Sequence, residues 1–155
     1  MSTTRSPTVI EVGLYQKGDL MLIDCEEPDP IEDWPRFAEE NAHDLRSIRR
    51  DGQLIGCMGY FMCSPKEGDA FAVIDRNGCK GVGKQLALAM RERQIIWMED
   101  LGITRVWADC PRHDRKAQVF LRAIGYRRIS GDKPDTAFFV LDWRHDNGQG
   151  LEENR

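Results

Sequence analysis

The sequence lacks both a long apolar run and a cysteine pattern of the kind that holds a metal or a disulfide framework. No stretch reaches the roughly 18 apolar residues that a membrane span needs, and no short apolar segment follows an N-terminal basic cluster as in a secretion signal. The five cysteines show no CxxC spacing and the three histidines are scattered. We therefore expect a cytoplasmic protein with no metal, no membrane partner and reduced, mostly buried thiols.

An excess of positive charge is also missing. The chain has 22 Lys and Arg against 26 Asp and Glu, a net charge of -4 at pH 7, whereas a protein that neutralises phosphates along a nucleic acid needs a basic surface. Nucleic acid is therefore not an expected partner. The basic pairs Arg49-Arg50 and Arg127-Arg128 are expected to be ordinary solvated surface residues.

What is present is the composition of an ordinary globular protein, 41% hydrophobic and 31% charged over 155 residues. A chain of this length can bury one sizeable core. Polar residues without periodicity at both ends predict tails at residues 1–7 and 144–155. A single domain is therefore expected over residues 8–143.

Hydrophobic periodicity divides that domain into strands and helices. Alternating apolar residues predict strands over residues 9–15, 45–50, 54–63, 70–75, 105–110, 126–129 and 136–143. Apolar residues at helical spacing predict helices over residues 31–41, 83–101 and 114–124. Asp51-Gly52 predicts a tight hairpin turn between the second and third strands. This order predicts an α/β (α+β) fold with a mixed, mostly antiparallel sheet of six to seven strands flanked by helices.

A glycine-rich loop joins one of these strands to the longest predicted helix. Gly78, Gly81 and Gly83 would let the backbone approach a phosphate closely, and the helix N-terminus would add partial positive charge. Lys80 and Lys84 would add full positive charges. We therefore predict an anion-binding site here, although the same residues also fit a turn that only begins the helix.

The P-loop pattern GxxxxGK(S/T) of nucleotide-binding proteins is one interpretation of this loop. Gly78, Gly83 and Lys84 fit it, and residues 106–109 resemble the strand that carries a metal-binding Asp in such proteins. However, Gln85 stands where a magnesium-binding hydroxyl is needed. The loop also follows predicted antiparallel strands instead of opening a parallel sheet, so a P-loop protein is the less favoured alternative.

The loop and its surroundings resemble the acetyl-CoA-binding region of the GNAT superfamily of N-acetyltransferases. The family signature R/Q-x-x-G-x-G/A is matched at Gly81 and Gly83, whereas Gly78 stands where Arg or Gln is usual. The apolar residues 71–74 are similar to the strand that precedes the loop in this family. The resemblance extends over about residues 8–143.

A second family pattern, N-x-x-A-x-x-L/F-Y-x-x-x-G-F/Y, is similar to residues further along the chain. Ala117 and Gly125-Tyr126 match it, and Asp114 stands at the position of the asparagine. Leu121 stands where the family has the tyrosine that serves as general acid. Because leucine cannot donate a proton, the general acid is unassigned, and the nearest substitutes by sequence are Tyr126 and Tyr60.

The resemblance implies transfer of an acetyl group from acetyl-CoA to an amine by direct attack on the thioester. It implies that the strand before the loop pairs with the pantetheine arm, that the loop amides hold the pyrophosphate and that an acidic side chain at the asparagine position keeps a polar contact. The cofactor-binding residues implied are Phe71, Ala72, Val73, Cys79, Lys80, Gly81, Val82, Gly83, Lys84 and Asp114.

Asp109 is the candidate general base, because its position resembles that of a strand carboxylate with this role in some members of the family. Strand alternation places it with Trp107 on the face opposite Ala108. An ordinary ion pair with a neighbouring arginine is the alternative. Asp69 and Asp75, at the two ends of the preceding strand, are further candidates for the base.

The acceptor implied is a small-molecule or peptide amine. Trp34, Phe37 and Trp143 lie in the elements that build the acceptor pocket of the family, although all three also fit a hydrophobic core. The missing tyrosine and the missing Arg or Gln favour a second hypothesis, a degenerate member that binds CoA or a protein partner without catalysis. The sequence leaves a homodimer open.

Overall fold

The computed structural model describes residues 8–23 and 33–143. The tails predicted at residues 1–7 and 144–155 lie outside the described residues, as does Cys25. Within the described residues the elements in chain order are β1 (Ile10–Leu14), α1 (Asp19–Leu22), α2 (Trp34–Asn41), β2 (Asp44–Arg50), β3 (Gln53–Ser64), β4 (Glu67–Ile74), α3 (Gly83–Asp100), β5 (Arg105–Pro111), α4 (Arg115–Ile124), β6 (Arg127–Ile129) and β7 (Thr136–Asp142).

Seven strands form one mixed sheet in the order β1-β2-β3-β4-β5-β7-β6. Every neighbouring pair in it is antiparallel except β4 and β5, which are parallel. The predicted mixed, mostly antiparallel sheet is therefore confirmed. The hairpin at Asp51-Gly52 is confirmed too, and both residues have the positive φ, 51° and 86°, that a tight type I′ turn requires.

Two hydrophobic clusters lie on opposite faces of the sheet. The larger one joins Leu86 and Trp97 of α3 and Ile124 of α4 to the strands. The smaller one centres on Leu20 of α1, Ala38 of α2 and the strand residues beneath them. Helices α3 and α4 thus cover one face of the sheet, and α1 and α2 cover the other.

Two expectations about side-chain exposure were partly wrong. Arg127 and Arg128 are exposed as expected, whereas Arg49 and Arg50 are half-buried and hydrogen-bonded within the protein. Of the four cysteines described, two are buried, one is partly buried and one is exposed, namely Cys57, Cys110, Cys79 and Cys63. Among the described residues, no helix combines the length and apolar character that a membrane span requires.

Candidate functional site

The parallel pair β4–β5 opens into a cleft. The two strands pair only from Glu67–Asp69 to Arg105–Trp107, and beyond these residues they diverge like a V. Helix α3 forms one wall of the cleft with Leu86 and Met90, and α4 forms the other with Ala117 and Leu121. The cleft has a volume of about 520 Å³, which is large enough for part of an extended ligand.

Residues 70–74 of β4 form the strand edge that faces this cleft. Their antiparallel partner is β3, and no strand in the described part of the chain pairs with their other edge. An open strand edge offers backbone N–H and C=O groups to an extended ligand that carries amides. Phe71, Ala72 and Val73, the residues expected to contact the pantetheine arm, all line the cleft.

The glycine loop lies where β4 ends and α3 begins. Within the loop the N–H groups of Cys79 and Val82 donate to the carbonyls of Asp75 and Cys79, at 3.1 and 3.2 Å, and Gly81 turns the chain with a φ of 78°. The first N–H groups of a helix have no acceptor inside it, so those of Gly83 and Lys84 remain free of intrahelical partners. The N–H groups of Cys79 and Val82 therefore stabilise the turn, whereas those of Gly83 and Lys84 are available to a ligand.

Arg50 reaches the glycine loop from the end of β2. Its guanidinium Nη1 donates to the carbonyl oxygens of Gly78 at 3.1 Å and Lys80 at 2.9 Å. A Cβ at position 78 would lie 2.8 Å from Cγ2 of Ile55, so the Arg or Gln usual at that position could fit only if Ile55 moved. Arg50 lies 28 positions before Gly78 in the chain, so no local sequence pattern indicates this contact.

Two carboxylates lie at the apex of the V. Asp69 and Trp107 are register partners on β4 and β5, so their side chains share a face, and Asp109 lies on that same face two residues further along. Asp69 is exposed to solvent, but partial desolvation and the negative charge of Asp109 raise the pKa of Asp69. Within the described residues no salt bridge to Asp109 forms, so the ion pair considered from the sequence is not found. The carboxylate of Asp75 instead accepts the N–H of Asn77 in the loop, at 3.0 Å.

Of the two tyrosines named from the sequence, only Tyr126 lines the cleft. Its buried hydroxyl donates to the side-chain oxygen of Gln94, and burial together with the charge of Asp69 strongly raises its pKa. Tyr60 packs against Trp97 with ring centroids 4.7 Å apart. Its buried hydroxyl has no hydrogen-bond partner in the described structure. Leu121, at the tyrosine position of the family pattern, is itself in the cleft wall.

Asp114 stands at the N-terminus of α4, on the rim of the cleft. Its Oδ1 accepts the N–H of Ala117 at 3.1 Å, and its Oδ2 pairs with Arg76 at 2.9 Å. Arg76 follows β4 whereas Asp114 follows β5, so their ion pair links the two strand ends that border the cleft. The carboxylate predicted to contact the ligand is therefore a helix cap that already holds two protein partners.

Aromatic side chains cover the face of the sheet beneath α2. Trp34 meets the ring of Phe71 edge-on with centroids 5.1 Å apart, and Phe37 lies 5.7 Å from the ring of Phe61. Trp143 packs against the larger cluster and Trp34 against the smaller one, so the core interpretation of these two residues is confirmed. The two residues belong to different clusters, which the sequence order of the strands does not reveal.

Hydrogen bonds fix α1 and α2 on this same face. Glu39 of α2 accepts the hydroxyl of Tyr15 and the N–H of Gly18, the latter at 2.8 Å. Asp19 of α1 accepts the Ser47 hydroxyl at 2.6 Å and the Arg49 guanidinium at 2.9 Å. Burial acts to raise the pKa of Asp19, but these hydrogen bonds outweigh it and lower the pKa. Helices α1 and α2 are thus held on the sheet by buried and half-buried polar contacts as well as by packing.

Comparison with known proteins identifies this arrangement. A family model described as the acetyltransferase (GNAT) family matches residues 15–126, whereas no curated relative matches the sequence at a significant level. A solved acetyltransferase from Agrobacterium tumefaciens is 15% identical, with a TM-score of 0.64 over 90% of this chain and 96% of that chain. The N-acetyltransferase PseH of Campylobacter jejuni in complex with acetyl coenzyme A is 17% identical, with a TM-score of 0.59 over 86% of this chain and 99% of that chain. The architecture described above is the GNAT fold.

Proposed function

Because the chain belongs to the GNAT acetyltransferase family, we propose that it transfers an acetyl group from acetyl-CoA to an amine acceptor. The observation that carries this proposal is the cleft between β4 and β5, in which an open strand edge leads to a glycine loop and a helix N-terminus. The similarity of the fold to PseH, which was solved with acetyl coenzyme A, supports the same co-substrate.

In this proposal the pantetheine arm pairs with the open edge at Phe71, Ala72 and Val73. The pyrophosphate lies at the glycine loop, where the N–H groups of Gly81, Gly83 and Lys84 are not engaged in the turns of the loop. The Lys84 side chain adds a charge for a phosphate. Of the remaining residues expected at this site, Cys79, Lys80 and Val82 form hydrogen bonds that shape the loop. Asp114 caps α4 at the rim of the cleft.

The reaction proposed is direct attack of the amine lone pair on the thioester carbonyl carbon. The carbon–sulfur bond breaks, CoA leaves as a thiolate, and the proton released by the attacking nitrogen passes to a general base. Asp109 and Asp69 are the bases proposed, because they flank the point where β4 and β5 part. The raised pKa of Asp69 makes it a better proton acceptor than an ordinary carboxylate.

No general acid is required by this proposal, since a thiol pKa near about 8.5 makes the thiolate a tolerable leaving group. Leu121 contributes only apolar surface to the cleft. Tyr126 keeps its proton because its pKa is strongly raised, so we propose that it acts as a hydrogen-bond donor that orders Gln94 at the buried end of the cleft.

The missing tyrosine favours one alternative, a degenerate GNAT protein that binds CoA or a protein partner without catalysis. An acceptor screen separates the two functions, with small amines and peptides incubated with acetyl-CoA and the acetylated product detected by mass. Mass detection is preferable to thiol reagents because Cys63 is exposed and would react. A product formed faster than in the protein-free control supports the enzyme, whereas CoA binding without any product supports the alternative.

Three further expectations stay predictions. The acceptor is a small-molecule or peptide amine, the protein is cytoplasmic, and two copies can associate as a homodimer. Nucleic acid is not an expected partner, because the net charge is -4.

A further inference from the structure

The contact between Arg50 and the glycine loop determines the direction in which one loop N–H points. We propose that Arg50 is a positioning residue that fixes the Lys80–Gly81 peptide plane and so directs the Gly81 N–H towards the pyrophosphate of CoA. This inference rests on the proposed function, because it assigns to one side chain the orientation of a donor in the acetyl-CoA site. It adds a residue from β2, outside both sequence patterns, to that site.

The geometry of the peptide bond determines where the Gly81 N–H points. In a planar trans peptide, the carbonyl of one residue and the N–H of the next point in opposite directions. The carbonyl of Lys80 accepts a hydrogen bond from Arg50 at 2.9 Å, so the N–H of Gly81 must point to the side of the loop away from Arg50. No acceptor for that N–H is found within the described residues.

The loop can adopt this orientation because of its glycine. Gly81 has a φ of 78°, a conformation that residues with a Cβ rarely adopt, and nothing lies within 4 Å of the position a Cβ would take. The hydrogen bond from the Val82 N–H to the Cys79 carbonyl closes this turn at 3.2 Å, but glycine at position 81 lets the central Lys80–Gly81 peptide plane flip between the type I and type II orientations unless another group fixes it. Arg50 supplies that constraint and anchors the Gly78 carbonyl as well, at 3.1 Å.

The neighbouring arginine provides a matched control. Arg49 precedes Arg50 in β2, and its guanidinium bonds to Asp19 on the other side of the strand, not to the loop. Arg49→Ala removes the same charge from the same strand and leaves both loop contacts intact. Arg50→Lys keeps the charge but replaces the planar guanidinium with a single ammonium.

Calorimetry with CoA and amide NMR spectra test the proposal directly. For Arg50→Ala we expect CoA to bind about tenfold or more weakly than to the wild type, since one charge-assisted hydrogen bond loses its alignment. Arg50→Lys should bind with intermediate affinity, and Arg49→Ala should bind CoA like the wild type. The Gly81 amide resonance should shift on CoA addition in the wild type and much less in Arg50→Ala.

A second ligand distinguishes positioning from general damage to the fold. Pantetheine lacks the pyrophosphate, so its affinity, measured by NMR titration, should be the same for Arg50→Ala and the wild type. Equal CoA affinity of Arg50→Ala and wild type would overturn the inference, and so would an equal loss of CoA and pantetheine affinity. If the wild type itself did not bind CoA, the proposed function would fail first and the Arg50 inference with it.

Discussion

At the scale of single residues, the acidic pair at the apex of the V is the feature most open to test by pH. Partial desolvation and the charge of Asp109 both raise the pKa of Asp69. A general base works only when ionised, so kcat/KM should fall as the pH drops through that pKa. If Asp69 is the base, Asp109→Asn removes the neighbouring charge, lowers the pKa of Asp69 towards its ordinary value and moves the acidic limb of the pH–rate profile to lower pH. If Asp109 is the base, the same variant loses activity at every pH.

Two companion variants complete this test. Asp69→Asn should lower kcat by about 10²- to 10⁴-fold, the usual contribution of a general base. Asp100→Asn removes an exposed carboxylate at the end of α3 and should leave the profile unchanged. An acidic limb that stays in place in Asp109→Asn would show that Asp69 is not the titrating base.

Removing the hydroxyl group from each of the two buried tyrosines is expected to affect the free energy of unfolding differently. Tyr126→Phe leaves the buried oxygen of Gln94 without its donor, so it should lower the free energy of unfolding by about 1–3 kcal/mol. Tyr60→Phe removes a buried hydroxyl that has no partner in the described structure, so it should be neutral or stabilising. Urea unfolding of both variants measures the difference, and equal losses would contradict the hydrogen bonding described here.

The residues that the sequence could predict are those that belong to local patterns. Gly83 lies in a short motif, and Leu121 lies at a fixed spacing from the Gly125-Tyr126 pair, so their positions in the cleft follow from order along the chain. The proximity of Asp69 to Asp109 depends on the register between β4 and β5, and no local sequence pattern encodes that register.

At the scale of secondary-structure elements, the N-terminus of α4 shows how one side chain serves both a helix and the cleft. Asp114→Ala removes a helix cap and should cost about 1 kcal/mol of stability. Arg76→Gln removes only the ion pair to Asp114, in which the arginine is 58% exposed, and should cost less. Thermal or urea unfolding compares the two, and an equal cost would mean that the cap contributes nothing.

Long or strongly patterned elements were predictable, and short ones were not. Helix α3 was expected over residues 83–101 and extends from Gly83 to Asp100. Helix α1 was missed because its four residues are too few to show a helical period. Strand β4 begins at Glu67, three residues before its predicted start, because its polar first residues pair with β3 and β5 without an alternating pattern.

At the scale of the whole molecule, the topology decides between the two interpretations of the glycine loop. A P-loop opens a parallel sheet, whereas here β4–β5 is the one parallel pair in the described sheet and the loop follows an antiparallel run. The divergence of β4 from β5 instead fits a GNAT protein, because it leaves the edge of β4 open for the backbone contacts of the proposed co-substrate. The sequence alone could suggest this choice but not decide it, because both interpretations share Gly83 and Lys84.

The central claim is that acetyl-CoA lies in the cleft between β4 and β5, and calorimetry on variants of α4 tests it most directly. Ala117 lines the cleft, whereas Val119 on the same helix is 65% exposed. The account predicts that the wild type and Val119→Trp bind acetyl-CoA alike, that a folded Ala117→Trp does not, and that none of them binds ATP with magnesium. Binding of ATP with magnesium but not of acetyl-CoA, or unchanged binding of acetyl-CoA by Ala117→Trp, would contradict it.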